Sequence, residues 1–295
     1  MARTETIRVA VAQAAVSQDP SGPQIRRAGE RIRALMREAS RQGARMIQLA
    51  EGAISGYPDK RLMASGDELG PADWSKADWA VLDEELSRTA TLAGELQLWT
   101  ALGSVHRLTG SHRPHNSLYI ISDAGRLVHR YDKRLLSASE LNYLYTPGIA
   151  PLVFDVDGWR FGAAICIEIN FAEVFSEYER LGVDCVLFSS FSEDPMFGAL
   201  AQGHAAANSY WLTFSVPAQC SAAAPSGIVA PDGEWIDRAT PDGREALVVV
   251  DLDPNASEPI EIAVQHRRPW RRRARSGLCA EHLHIDPRSQ DQTRF

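Results

Sequence analysis

Apolar residues along this chain fall into two rhythms, short continuous runs and longer faces spaced three or four residues apart. Continuous runs such as IRVAVAQAAV, RMIQLA, RFGAAICI and DCVLFSS predict strands buried on both faces. Between them, Ile25, Ala28, Ile32, Leu35 and Ala39 mark one helical face that Gly43 closes. Trp79, Leu82, Leu86, Ala93 and Leu96 mark a second helix after a polar stretch through Trp74. Three strands follow, over 98–107, 115–122 and 126–132, the last two joined at Asp123-Ala124-Gly125. PLVFDV pairs with RFGAAICI across Asp157-Gly158. A helix after Asn170, the strand DCVLFSS, a helix over 197–208 and the strand WLTFSVP continue the alternation. GIVAP, EWIDRA and EALVVVDLD are the last strands, separated by Pro-Asp-Gly turns. With no internal repeat and no linker, the pattern predicts a single α/β domain over 1–295 with mixed sheets.

Chemistry enters at the ends of three of these strands. Cys166 stands where an apolar strand stops and a helix begins, with Asn170 and Glu173 reading as N-cap and capping box. The free N–H groups of a helix start favour a thiolate and can hold an oxyanion. Glu51 follows the strand in RMIQLAEGAISGYP, and Lys133 stands at the exit of the second hairpin strand. Each alone reads as ordinary: a core thiol, a solvated glutamate, a surface cation beside Arg134. Three complementary groups, each just beyond a strand, point to an active site.

The chain resembles the nitrilase, or carbon–nitrogen hydrolase, superfamily, whose catalytic set is Glu, Lys and Cys in that order. IRVAVAQAAV, LAEGAISGYP, HNSLYIISDAGRLVHRYDK, ICIEINFAEVF, PSGIVAPDGEW and RPWRRRARSG carry the resemblance over nearly the whole chain. The Tyr-x-Lys strand and the strand-Cys-x-Glu turn are its specific parts. The resemblance implies a four-layer α-β-β-α sandwich of two mixed sheets with helices outside. It implies Glu51 as general base, Lys133 as oxyanion-stabilising cation and Cys166 as nucleophile. Glu140, before the Tyr-Thr-Pro-Gly element, matches the family's second glutamate and would orient the substrate or its leaving nitrogen.

Such a set implies an amidohydrolase acting on a small linear carboxamide through a cysteine thioester, releasing ammonia or an amine. Nitrile hydrolysis, N-carbamoyl hydrolysis and amide-forming acyl transfer by the same site are the alternatives, and a silent scaffold is a further class. No metal or organic cofactor is needed. The backbone N–H of Ile167 is a second oxyanion donor. Related hydrolases of carbamoyl amino acids place an arginine after the cysteine; here Ile167-Glu168-Ile169-Asn170-Phe171 has none, which argues against a carboxylate docked there. Glu168 reads as a structural hydrogen-bonding group. Tyr57, Ile167, Asn170, Phe191 and Glu193 are the candidate substrate contacts, with Tyr143 and Tyr145 as further walls. The loop FSSFSEDPMF suits a neutral or cationic, partly apolar amide, and reads equally as an ordinary acidic loop.

Composition narrows the remaining classes. With 44% hydrophobic residues over 295 positions the chain buries a sizeable core unaided. A net charge of −7 with mixed signs argues against nucleic acid, despite RRPWRRRAR. That Arg-rich tail, over 254–295, resembles a family segment that packs along a partner subunit, implying a homodimer or higher homo-oligomer. Its last dozen residues are polar enough to be mobile. Four widely spaced cysteines without a CxxC pair read as reduced, intracellular usage. Charged Arg3 and Glu5 precede the first strand, so no signal peptide is visible, and no apolar run reaches membrane-spanning length. The expected location is the cytoplasm, with no membrane partner.

Overall fold

In the first strand, β1 (Ile7–Gln13), Val9 and Val11 enter one apolar cluster while Ala10 and Ala12 enter another. Both faces of that strand are therefore covered, as its unbroken apolar run requires. The computed structural model describes residues 6–58 and 71–290. Arg3, Glu5, residues 291–295 and most of the polar stretch before Trp74 lie outside the described residues.

The first sheet takes the order β12-β1-β2-β3-β4-β5, built from β1, β2 (Met46–Gln48), β3 (Trp99–His106), β4 (His115–Ile121), β5 (Leu127–Asp132) and β12 (Ala246–Leu252). The second takes the order β11-β10-β9-β8-β7-β6, from β6 (Val153–Val156), β7 (Trp159–Ile165), β8 (Cys185–Ser189), β9 (Trp211–Ser215), β10 (Gly227–Val229) and β11 (Trp235–Arg238). Helices α1 (Gly22–Arg41) and α2 (Trp79–Leu96) make the parallel crossovers β1–β2–β3. Helices α3 (Ala172–Arg180) and α4 (Met196–Asn208) make the crossovers β7–β8–β9. The fold is a four-layer α-β-β-α sandwich of two mixed sheets.

The two sheets repeat one plan. From β12 to β5 the pairings run antiparallel, parallel, parallel, antiparallel, antiparallel. From β6 to β11 they run in the same sequence. This duplication leaves no sequence repeat, because only the burial pattern of each half has to match.

Packing between the layers is aromatic and dense. Phe188 stacks on Phe214 at 5.3 Å and meets Phe175 and Phe197 edge-on or tilted. Burying one such ring contributes roughly 1.5–3 kcal/mol. The sheets are also stitched by polar contacts directly behind Glu51: Gln48 donates to the Ser189 hydroxyl at 3.0 Å, which donates to the Leu49 carbonyl at 2.9 Å.

One expectation changes. Asn170 is not the helix cap: residues Cys166–Asn170 form a short 3-10 turn, Asn170 is exposed, and α3 begins at Ala172 with Phe171 in the cap position and no side-chain cap bond. Helical turns from Glu258 to Glu281, broken at Gly277, bury Ile260, Ala263 and Arg268 against the body.

Candidate active site

Glu51 lies in the turn after β2, where the chain passes within touching distance of β3. A Cβ on Gly103 would sit 2.0 Å from the Ala50 carbonyl oxygen and 2.8 Å from the Gly52 amide, so only glycine lets the turn approach. Lys133 follows β5 directly, and its amide pairs with the Asn116 carbonyl at 2.8 Å, extending the β4–β5 ladder by one residue. Gly148 fits against the same strand end, where a Cβ would meet the Asp132 oxygen at 2.2 Å. Glu140 opens a wide, π-helical turn after Lys133, its Oε2 accepting the Ser137 amide at 2.9 Å.

These side chains meet. Lys133 Nζ donates to Glu140 Oε1 at 2.7 Å and to Glu51 Oε1 at 3.0 Å, with all three groups buried to within 1% exposure. Asn116 Nδ2 donates to Glu51 Oε1 at 2.7 Å and to Glu140 Oε1 at 3.3 Å. Tyr57 donates to Glu140 Oε1 at 3.2 Å. The other Glu51 oxygen accepts the Phe191 amide at 2.7 Å, and the Phe191 carbonyl receives the Cys166 thiol at 3.6 Å. Phe191 thus links the carboxylate to the sulfur. Asn116 escaped the sequence reading; its one signal was a polar residue in a strand position directly opposite Lys133.

Cys166 has a φ of 52°, the left-handed region that a non-glycine residue adopts at a cost. The chain leaves β7 there and turns at once into the 3-10 turn. Ile167, half-buried, is the second residue of that turn, where backbone N–H groups have no acceptor within the helix. His204 of α4 braces the turn from outside. Its Nε2 bonds the Ile169 carbonyl at 2.8 Å while its ring stacks on Phe175 at 4.0 Å. Burial lowers the His204 pKa, so the neutral ring is the form that stacks.

Glu168 joins the cysteine turn to the lysine strand. Its carboxylate accepts the Ile165 amide at 2.7 Å, the Arg134 amide at 2.8 Å, the Leu135 amide at 3.1 Å and the Tyr131 hydroxyl at 2.8 Å. Ile165 precedes Cys166 and Arg134 follows Lys133, so one buried carboxylate sets the spacing of the two. Glu168→Gln turns one acceptor oxygen into a donor facing N–H groups. The expected result is a stability loss of about 1.5–3 kcal/mol, a lost bond to a charged acceptor, together with a fall in kcat at nearly constant KM. Urea unfolding and steady-state kinetics check it; unchanged kcat in the folded variant contradicts it.

Electrostatics divides the two glutamates. Burial raises the Glu51 pKa, with the Glu140 charge adding to it and Lys133 opposing it. Burial also acts on Glu140, but Lys133 and the Ser137 bonds outweigh it and hold this carboxyl below its ordinary value. For Lys133, burial disfavours the ammonium, yet the charges of Glu51, Cys166 and Glu140 together push its pKa well up. Burial and the Glu51 charge push the Cys166 thiol up to about 12, against the pull of Lys133. Burial thus favours the protonated sulfur at rest.

The candidate substrate contacts separate on the same geometry. Tyr57 and Phe191 stack at 4.8 Å beside Glu140 and Glu51. Glu193 is exposed on the loop beyond Phe191, and Asn170 is exposed at the far end of the 3-10 turn with no side-chain bond to the cluster. Tyr145 is fully buried, its ring 6.3 Å from that of Tyr57, and acts as a support behind it. Phe197 packs on Phe188 in the core.

Comparison with known proteins agrees with this frame. The carbon–nitrogen hydrolase family model matches residues 8–261. Omega-amidase NIT2 of Bos taurus is 25% identical over 265 residues, covering 84% of this chain and 89% of the bovine protein. The nitrilase-superfamily amidase of Nesterenkonia AN1 superposes with a TM-score of 0.71 at 19% identity, covering 91% of this chain and 98% of the other. A variant of that amidase carries the acetamide moiety of fluoroacetamide on its active-site cysteine. Nit3 of Saccharomyces cerevisiae superposes with a TM-score of 0.68 at 20% identity, covering 88% of this chain and 94% of the yeast protein.

Proposed function

This chain belongs to the carbon–nitrogen hydrolase family, and on that premise we propose that it is an amidase cleaving small linear carboxamides through a thioester on Cys166. One observation carries the reading: a fully buried ammonium, Lys133, held between Glu51 and Glu140, with Glu51 linked through Phe191 to the Cys166 sulfur. The amidase names of its relatives support the same class.

The steps follow from the protonation states. Glu51 takes the Cys166 proton as the sulfur attacks the amide carbon, and the C=O π electrons move onto oxygen. Lys133 and the Ile167 N–H hold that oxyanion; losing one such donor typically costs roughly 2.7–4 kcal/mol of barrier. Protonated Glu51 returns the proton to the leaving nitrogen, which departs as ammonia or an amine. Water then enters, loses a proton to Glu51 and cleaves the thioester to the free acid and thiol. Glu140, kept ionised, anchors Lys133 and orients the amide nitrogen. Tyr57 and Phe191 supply an aromatic wall, with Glu193 and Asn170 at the outer rim.

The four cysteines Cys166, Cys185, Cys220 and Cys279 are unbridged, which supports a reducing compartment, and we assign the protein to the cytoplasm. No helix among the described residues is long and apolar enough to cross a membrane. We also assign the 254–295 tail to a subunit contact within a single-domain homo-oligomer, supported by exposed Ile262, Trp270, Leu283 and Ile285.

Ammonia release from linear carboxamides, nitriles and N-carbamoyl amines tests the assignment. Turnover of carboxamides, lost in Cys166→Ser, is expected. Faster turnover of nitriles or carbamoyl compounds overturns the amide assignment.

A further inference from the structure

Asn116, the second residue of β4, touches both glutamates of the site, yet the catalytic steps give it no task. Its side chain is buried, and strand register sets it there, since its carbonyl accepts the Lys133 amide at 2.8 Å. Two carboxylate oxygens face its Nδ2, so the NH2 end of the amide points inward and spends one hydrogen on each.

The acceptor positions can then be counted. An ionised carboxylate offers about four, two on each oxygen. Glu51 Oε1 receives Asn116 Nδ2 at 2.7 Å and Lys133 Nζ at 3.0 Å, which fills it. Glu140 Oε1 receives the same two nitrogens at 3.3 and 2.7 Å, and the Tyr57 hydroxyl at 3.2 Å. Two oxygens and two nitrogens close a ring, with each nitrogen bridging both carboxylates. Glu51 Oε2 differs. It accepts the Phe191 amide at 2.7 Å and has no second donor among the described residues. The carbonyl of that same Phe191 receives the Cys166 thiol at 3.6 Å.

We propose that Asn116 is a positioning residue: with Lys133 it occupies Oε1 of Glu51, so that Oε2 takes the Cys166 proton. The S–H bond breaks, an O–H bond forms on Oε2, and the sulfur keeps the electron pair that attacks the amide carbon. The chemistry rests on the amidase reading, while the bonds to Oε1 do not. Those bonds also govern when Glu51 is ionised. Lys133, Glu140, Cys166, Tyr57, Tyr145 and Cys220 are the titratable groups around it. Burial raises its pKa, Lys133 lowers it, Glu140 raises it again, and the Asn116 bond lowers it. Removing Asn116 therefore raises it, by about one to two units for a bond to a charged acceptor.

Carbon NMR of protein labelled at the glutamate carboxyl carbon follows that titration without substrate, and Glu51→Gln identifies the Glu51 signal. In Asn116→Leu, close in volume, the Glu51 midpoint should rise by about one to two pH units. The acid limb of carboxamide turnover should move with it at nearly constant KM. The double variant with Glu51→Gln should lose no more kcat than Glu51→Gln alone, because Asn116 acts through that carboxylate. Asn116→Ala is read the same way if the leucine variant has a lowered unfolding temperature. An unmoved Glu51 midpoint in a folded variant, or additive losses in the double variant, overturns the proposal. A midpoint that moves while the wild type hydrolyses no carboxamide overturns the amidase reading and leaves the control of Glu51 by Asn116 standing.

Discussion

Lys133→Met is expected to lower kcat/KM by more than about a thousandfold and to destabilise the protein at the same time. The kinetic loss has two parts. An oxyanion donor is removed, worth roughly 10²–10³ in rate. The charge that opposes protonation of Glu51 is removed as well, so its pKa, already raised by burial, climbs further and the base is protonated at neutral pH. The structural loss arises because two carboxylates, each at most 1% exposed, are left with no cation between them. Breaking a buried pair from one side typically costs about 3–5 kcal/mol; proton uptake by Glu51 relieves part of that. Adding Glu140→Gln removes the remaining like-charge repulsion, so the double variant should recover stability in urea unfolding while staying inactive. Near-normal turnover in Lys133→Met, or recovered activity in the double variant, contradicts the role assigned to the lysine.

Glu51→Gln is the second large effect. The glutamine oxygen can still accept the Phe191 amide, so the site should keep its shape while losing its base. General-base catalysis contributes typically 10²–10⁴, and a fall of that size in kcat/KM is expected. The pH profile carries the sharper signature. In the proposed mechanism Glu51 works ionised, and its pKa is raised, so wild-type activity should disappear as pH falls through a value above the usual carboxylate range of about 4.3. Below that pH the carboxyl is protonated and Cys166 keeps its proton. The acid limb should vanish in Glu51→Gln. Its persistence at the same pH would move the base role to another group.

Much of the fold was legible because each strand is marked by a run of its own. PLVFDV, RFGAAICI, DCVLFSS and WLTFSVP fall on β6 to β9 to within two residues at each end. Glu51, Lys133 and Cys166 stood out because each is an ionisable group just past such a run. What was not legible depends on register and depth. Asn116 matters because it lies opposite Lys133 across β4 and β5, a pairing no local pattern encodes. Glu168 looked structural from its position, but its four donors come from both the lysine strand and the cysteine turn. Asn170 carried the composition of a cap, yet the 3-10 turn displaced the helix start by one residue. Burial pushes the Cys166 thiol up, an effect of depth that sequence composition does not measure. The tail helix was hard to read because Arg268 joins Ile260 and Ala263 at its buried positions.

The central claim is that the Cys166 sulfur forms the covalent bond to the acyl group. Intact-mass measurement after acid quench of a reaction with a small linear carboxamide, followed by peptide mapping, addresses it directly. The wild type should carry the acyl group, without the leaving nitrogen, on Cys166, and Cys166→Ser none. An adduct confined to the exposed Cys279, or retained in Cys166→Ser, would contradict the account.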